Sequence, residues 1–281
     1  MRAGLFLIVL FLFALPFTAV YGAEKERFAL YYSDKIPVEK FEPYELLIFD
    51  SNHHPALRPL KEEGKTLLGY VSLGEIGDSN PAYALLKSRG LILQENKNWK
   101  GRFFIDLRDP LWAKMVLEDI VPGILRQGFD GVFLDTLDDA IELERQDPSK
   151  YRGMTESAVH LVQAIRMQYP TVQIMMNRAY GILPATVNAI DMELGESVYA
   201  DYDFDKKSYR KVSAENYHDQ VKWLQKAKEH NAHLKVYTLD YSNARDESTI
   251  GEIYRTERAN GFIPYVSTIE LDRLIEEPES P

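Results

Sequence analysis

Apolar residues recur along the chain in two alternating rhythms. Short runs rich in Val, Ile, Leu, Phe and Tyr, suited to strands, occupy 27–33, 44–51, 65–74, 102–107, 131–137, 172–177, 189–196, 234–241 and 261–267. Between them lie stretches with apolar residues at helical spacing. The one from Leu111 aligns Trp112, Val116, Ile120 and Ile124 on one stripe and stops at Gly128. Two others open on Thr155 and Ser213 as expected caps, the first ending ahead of Pro170.

Strand-then-helix order over nearly the whole chain predicts βαβ units, and the expected fold is α/β, a single-domain (β/α)8 TIM-type barrel. Nine strand candidates overfill such a barrel by one. An open doubly wound sheet is the alternative, but neither GxGxxG nor GxxxxGK[ST] follows any strand. No linker or low-complexity tract interrupts the pattern, and only a short acidic tail, "EEPESP", closes it.

The opening residues follow a different rule. Arg2, an apolar run from Leu5 to Leu15, Pro16 and small residues up to Ala23 have the layout of a secretory signal peptide over 1–22, leaving residues 23–281 as the exported domain, periplasmic or secreted. The apolar run is short for a bilayer span of about 20 residues, so no membrane span is expected after cleavage.

Composition narrows the chemistry. There is no cysteine, which excludes disulfides, a thiol nucleophile and Cys-ligated metal. With 33 Lys+Arg against 43 Asp+Glu the net charge is -10, a surface that repels nucleic acid and attracts a cationic substrate. His53 and His54 are adjacent, His230 and His233 fall at a helix end, and no HExxH is present, so neither metal nor cofactor is expected. "GESVY" is not a GxSxG elbow, which argues against a serine hydrolase.

In a barrel the chemistry collects at the carboxyl ends of the strands. Those ends carry Asp50, Ser72 and Glu75, Asp106, Asp135, Asn177, Glu196, Asp240 and Tyr265. In "GFDGVFLDTLDDA", Asp135 ends an apolar strand directly and belongs at the mouth, whereas Asp138 and Asp139 are expected as loop or cap residues. Two carboxylates facing across a pocket are what glycosidic cleavage requires, and Asp135 with Glu196 supplies such a pair. Tyr70, Tyr199, Tyr202, Tyr237 and Tyr265 are candidates for stacking on sugar rings.

"GYVSLGE", "FFIDLRDPLW", "DGVFLDTLDD" and "ELGESVYADYDF", in this order and spacing, resemble glycoside hydrolase family 114, the endo-α-1,4-polygalactosaminidases, which includes the hydrolase domain of the Pel polysaccharide machinery. The likeness spans about residues 27–273. It implies an enzyme that cuts inside chains of α-1,4-linked, partly deacetylated galactosamine, with Asp135 as nucleophile and Glu196 as general acid/base. Glu196 is preferred because the Glu-Ser pair carries the match; Glu193, three residues earlier in a strand, should face the opposite side, and the residues themselves leave it open. Asp50, Tyr70, Glu75, Asp106, Asn177, Tyr237, Asp240 and Tyr265 would line the groove. The chain departs from the family pattern after Glu75, where "IGDSNPAYALLKSRG" follows. No deacetylase-like stretch accompanies the barrel, so coupling to deacetylation implies a separate partner from an exopolysaccharide machinery. A non-catalytic exopolysaccharide-binding barrel and a hydrolase of another α-glycan are the competing expectations.

Overall fold

The computed structural model describes residues 26–278. The signal peptide expected over 1–22 lies outside the described residues. Among them, no helix is long and apolar enough to cross a membrane.

Eight parallel strands pair in chain order: β1 (Phe28–Tyr31), β2 (Leu46–Asp50), β3 (Thr66–Ser72), β4 (Gly131–Asp135), β5 (Gln173–Asn177), β6 (Met192–Glu196), β7 (Lys235–Tyr241) and β8 (Ile263–Ser267). Their continuous hydrophobicity follows from burial on both faces, one toward the lumen and one toward helices. The sheet curls nearly into a barrel. Its two end strands share no ladder hydrogen bonds among the described residues. The seam is filled by side chains instead, with Tyr265 packed on Phe28 and Tyr44 at ring distances of 5.6 and 6.2 Å.

Helices Leu137–Gln146, Met154–Gln168, Ala214–His230 and Glu247–Ala259 contribute to the outer layer, burying stripes such as Leu161, Val162 and Ile165 or Val221, Leu224 and Ala227. Ser213 caps its helix as expected, its hydroxyl accepting from the Asn216 N–H at 3.3 Å. Thr155 does not cap. The helix is capped two residues earlier, at Gly153 with φ 88°, and the Glu144 carboxylate accepts the Gly153 and Thr155 N–H groups at 2.8 Å each. The stripe from Trp112 to Ile124 forms one helical rod with a wider π turn at Val116–Ile120. Pro122 explains the widening: it has no N–H to give the Glu118 carbonyl and its ring crowds that group.

The ninth candidate strand is not part of the barrel. Arg102–Ile105 is the middle strand of a small antiparallel sheet with Glu75–Gly77 and Ile92–Glu95, inserted between β3 and β4. Trp112 Nε1–H donates to the Leu73 carbonyl at 2.9 Å and Ile105 N–H to Gly74 at 2.8 Å, holding this sheet against the rim.

Close approach of β4 to β5 depends on Gly131, where a Cβ would sit 1.9 Å from the Gln173 carbonyl oxygen. Both groups belong to paired backbones that cannot shift independently. Gly131→Ala is therefore expected to cost about 3 kcal/mol and to lower the thermal midpoint by roughly 6–12 °C, measured by calorimetry. A variant that melts with the parent would show that the two strands have room to part.

Candidate active site

Three adjacent strands end in polar residues that point at one another. Asp135 closes β4, Asn177 closes β5 and Glu196 closes β6. The Asn177 Nδ2 donates to Asp135 Oδ1 at 2.9 Å and to Glu196 Oε2 at 2.7 Å, so one amide joins two carboxylates. Tyr70 on β3 donates its hydroxyl to the other Asp135 oxygen at 2.9 Å, and Tyr241 at the end of β7 donates to Glu196 Oε1 at 2.6 Å. The Tyr32 ring leans on Tyr70 with centroids 5.2 Å apart. Burial pushes both carboxyls above their ordinary range, and for Glu196 the charge of Asp135 adds to the rise. The hydroxyl and amide donors oppose that rise without cancelling it.

The backbone is strained where these side chains leave it. Thr136, Arg178 and Ser197, the residues next after Asp135, Asn177 and Glu196, all adopt left-handed conformations, at φ 64°, 53° and 55°. Such conformations are unfavourable for side-chain-bearing residues, and β-branched Thr136 suffers most. Thr136 is held there by its Oγ1, which meets the Ser72 hydroxyl at 2.8 Å and accepts the Gly74 N–H at 2.8 Å. Gly74 must be glycine for this, since a Cβ would lie 2.0 Å from the Thr136 carbonyl oxygen.

The wall beyond the pair is mostly acidic. The left-handed turn at Thr136 starts the following helix immediately, so Asp138 and Asp139 fall in its first turn and border the site. Asp139 is pushed up to about 9, chiefly by burial and then by the charges of Asp138 and Glu75. Asp138 has Arg178 Nε at 3.7 Å. Asp50, Tyr70, Ser72, Glu75 and Arg102 line an adjoining cleft of about 380 Å³, with Glu75 buried and bonded to the Asn96 amide.

Four of the expected groove residues are not brought to this place. Asp106 follows the inserted strand rather than a barrel strand, and pairs with Arg108 at 2.6 Å. Tyr237 is level with Leu194, one inward position below Glu196, and its hydroxyl donates to Glu26 at 2.6 Å in a cavity at the opposite, amino end of the barrel. Asp240 faces away from the lumen, where its Oδ1 accepts the Tyr199 and Ala200 N–H groups at 2.7 and 2.8 Å and ties down the loop after Glu196. Tyr265 is completely buried in the seam. Tyr199 bonds Glu252 on the outer surface, and Tyr202 packs on Tyr209 in a rim hairpin.

Tyr241 and Tyr32 are the residues that sequence reading missed. Alternation in β7 already puts Tyr237, Leu239 and Tyr241 on one face. Pairing of Leu239 with Glu196 then places Tyr241 above the carboxylate. Among the described residues no group of three His, Asp or Glu side chains could hold a metal ion.

A parallel barrel whose carboxyl end presents facing carboxylates among tyrosines defines a glycoside-hydrolase type of site. Residues 18–280 match the model of Glycoside-hydrolase family GH114, and the chain belongs to that family. It is 26% identical over 245 residues to an uncharacterized protein of Deinococcus radiodurans, covering 83% of this chain and 76% of that protein. Its fold is shared with the glycoside hydrolase domain of PelA from Pseudomonas aeruginosa, at TM-score 0.79 and 24% identity over 89% of this chain and 98% of that one. Aspergillus fumigatus Ega3, solved in complex with galactosamine, matches at TM-score 0.67 and 16% identity over 90% of this chain and 94% of that one.

Glu193 occupies the other face of β6. It is completely buried, neither carboxyl oxygen has a hydrogen-bond partner, and burial holds it well above the carboxylate range. A buried acid that must stay neutral destabilises the fold increasingly as pH rises past the unfolded value. Glu193→Met is expected to raise stability by about 1–3 kcal/mol at pH 8 and by less at pH 4, read by thermal unfolding, while glycan cleavage persists. Loss of cleavage would make Glu193 the acid.

Proposed function

We propose that this chain is an exported endo-glycosidase that cuts α-1,4-linked, partly deacetylated galactosamine polysaccharide with retention of configuration. Asp135 acts as nucleophile and Glu196 as general acid and then base. The observation that carries the reading is the Asn177 amide shared by the two carboxyls. Laid end to end, its two bonds limit Asp135 Oδ1 and Glu196 Oε2 to about 5.6 Å, near the about 5–5.5 Å of retaining enzymes and short of the about 6.5–9.5 Å of inverting ones.

Each acid receives two donors, Tyr70 and Asn177 at Asp135 and Tyr241 and Asn177 at Glu196, and the charge of Asp135 favours the proton on Glu196. In the first step an Asp135 oxygen bonds the anomeric carbon, the glycosidic C–O bond breaks, and Glu196 gives its proton to the leaving oxygen. In the second, Glu196 takes a proton from water as the water oxygen attacks the same carbon. The ester to Asp135 breaks, and both carboxyls return to their starting states. Asn177 and Tyr241 hold Glu196 within reach of both protons.

The substrate class rests on charge and on kinship. Asp50, Glu75 and Asp138 make an acidic surround that attracts ammonium-bearing sugar, and galactosamine is the ligand in the Ega3 complex. The leader-like residues 1–22 support export, and a deacetylating partner in an exopolysaccharide machinery would supply free amines.

The test is reducing-end release from partly deacetylated α-1,4-galactosaminan. Asp135→Asn and Glu196→Gln are each expected to lower kcat by about 10²–10⁴-fold while binding persists. Binding without cleavage by the parent would leave a carbohydrate-binding barrel; neither binding nor cleavage would point to another glycan.

Two dependences follow from the same charges. The parent's kcat/KM is expected to fall as salt rises, because screening shortens from about 30 Å at 0.01 M to about 3 Å at 1 M. It should also show a basic limb above the ordinary glutamate range, as Glu196 loses its proton. Salt-independent cleavage of a fully N-acetylated polymer would remove the electrostatic basis of the substrate assignment.

A further inference from the structure

Two loop tips meet at the carboxyl-end rim and present aromatic rings to solvent. The turn between Ile92–Glu95 and Arg102–Ile105 carries Trp99, and the turn between the paired strands Ala200–Asp203 and Ser208–Lys211 carries Phe204. The two rings touch edge to face at 5.3 Å, Phe204 rests on Tyr202 at 5.3 Å, and Tyr202 on Tyr209 at 5.1 Å. Trp99 is 50% and Phe204 46% exposed, in a fold that buries most of its other large apolar side chains. A contiguous exposed patch of this kind marks a binding surface.

Both tips grow from the site itself. Asn96, three residues before Trp99, donates its amide to Glu75. Ser197, next to Glu196, bonds Asp201 at the base of the hairpin at 3.2 Å. Each tip is therefore tied by a hydrogen bond to a residue bordering the two carboxyls, but the charge of the tips is the reverse. Lys97, Lys100, Lys206 and Lys207 are exposed on the two tips of a chain whose net charge is -10. Only Lys206 has an acidic partner among the described residues, Asp203 at 3.5 Å.

We infer that Trp99 and Phe204 form a distal subsite for uncharged, N-acetylated units of the same polymer whose aminated unit enters the acidic pocket. The inference rests on the substrate proposed above. Aromatic faces accept the C–H face of a pyranose and the acetyl methyl, and the lysines repel an ammonium group placed beside them. Trp, Phe and Lys at loop tips also suit an anionic bilayer. Docking there would press the barrel mouth against headgroups and close the pocket to a polymer, so the polymer is the favoured occupant. Together, pocket and patch would read an acetylation pattern.

The experiment measures cleavage by the parent, and binding by Asp135→Asn, across galactosaminans of graded acetylation. The expected result is a kcat/KM that peaks at intermediate acetylation. The double variant Trp99→Ala/Phe204→Ala should raise KM on half-acetylated polymer about tenfold with a smaller change in kcat. The charge variant Lys97→Glu/Lys100→Glu/Lys207→Glu should move the peak toward deacetylated polymer. Affinity that climbs steadily to full deacetylation in the parent, or an unchanged KM in the aromatic variant, overturns the subsite. So does a Trp99 emission shift caused by phosphatidylglycerol vesicles and not by polymer. If the parent cuts no galactosaminan, the substrate proposal fails separately. The subsite then stands only if the aromatic substitutions weaken binding of N-acetylated chains to Asp135→Asn, and falls if they do not.

Discussion

One side-chain amide holds the site together. Two buried carboxyls this close repel when both are charged and are costly even when one is. Asn177 relieves this by giving one N–H to each, and it can do so because β5 lies between β4 and β6, with Asn177 level with Leu194, one inward position below Glu196. A one-residue slip of β5 would turn Asn177 outward and leave the carboxyls facing each other unbridged. The outer donors, Tyr70 and Tyr241, complete a chain of hydrogen bonds running from β3 to β7 through both acids. The left-handed residues after each strand let the main chain turn away at once, so that the loops clear the mouth. Strain of about 1–3 kcal/mol at each such residue is tolerable only because the surrounding pairing over-determines it.

Much of this was legible in the sequence because it depends on local pattern. An apolar run that stops dead at Asp135, Asn177 or Glu196 can be read without knowing any partner. What could not be read was height around the barrel. Tyr237 and Tyr241 share a face by simple alternation, but only pairing of Leu239 with Glu196 says that Tyr241 is at the mouth and Tyr237 near the floor. Asp240 was read as a rim residue because it lies next to the end of the run 234–241; with Tyr241 on the lumen face, alternation turns Asp240 to the helices. Asp106 was misplaced for a different reason. Its run has strand character, but it pairs antiparallel within an insertion, and short antiparallel strands read the same as barrel strands. Asp138 and Asp139 were expected as loop or cap residues because nothing local signals that β-branched Thr136 adopts a left-handed turn.

The outer layer holds a second set of acids whose behaviour bears on working conditions. Asp240 is pushed up to about 7 and Glu257 to about 8, in both cases mainly by burial, and Glu193 lies higher than an ordinary carboxylate. Each is protonated in the fold at pH values where the unfolded chain has already lost the proton. Their contribution to stability is thus fully present below the ordinary carboxylate range and is lost as pH rises through the folded values. Glu196 moves in the same direction, since burial and Asp135 keep it protonated where a free glutamate would be charged. The conditions that favour the acid form of Glu196 are therefore those in which these three buried acids cost the fold least.

Charge is also divided across the rim in a way that a single net value conceals. The net of -10 describes the pocket wall well and the loop tips badly, because Lys97, Lys100, Lys206 and Lys207 project where Trp99 and Phe204 meet. At physiological salt the screening length is about 8 Å, so a charge on the polymer senses the nearest cluster and little of the remainder. A chain carrying ammonium on every unit would be attracted at the carboxylates and repelled a few units away. A chain with none would lose the attraction that seats it. On the proposed substrate only a mixed chain would satisfy both the carboxylates and the loop tips, and its direction along the rim would then be set by electrostatics before any bond is cut.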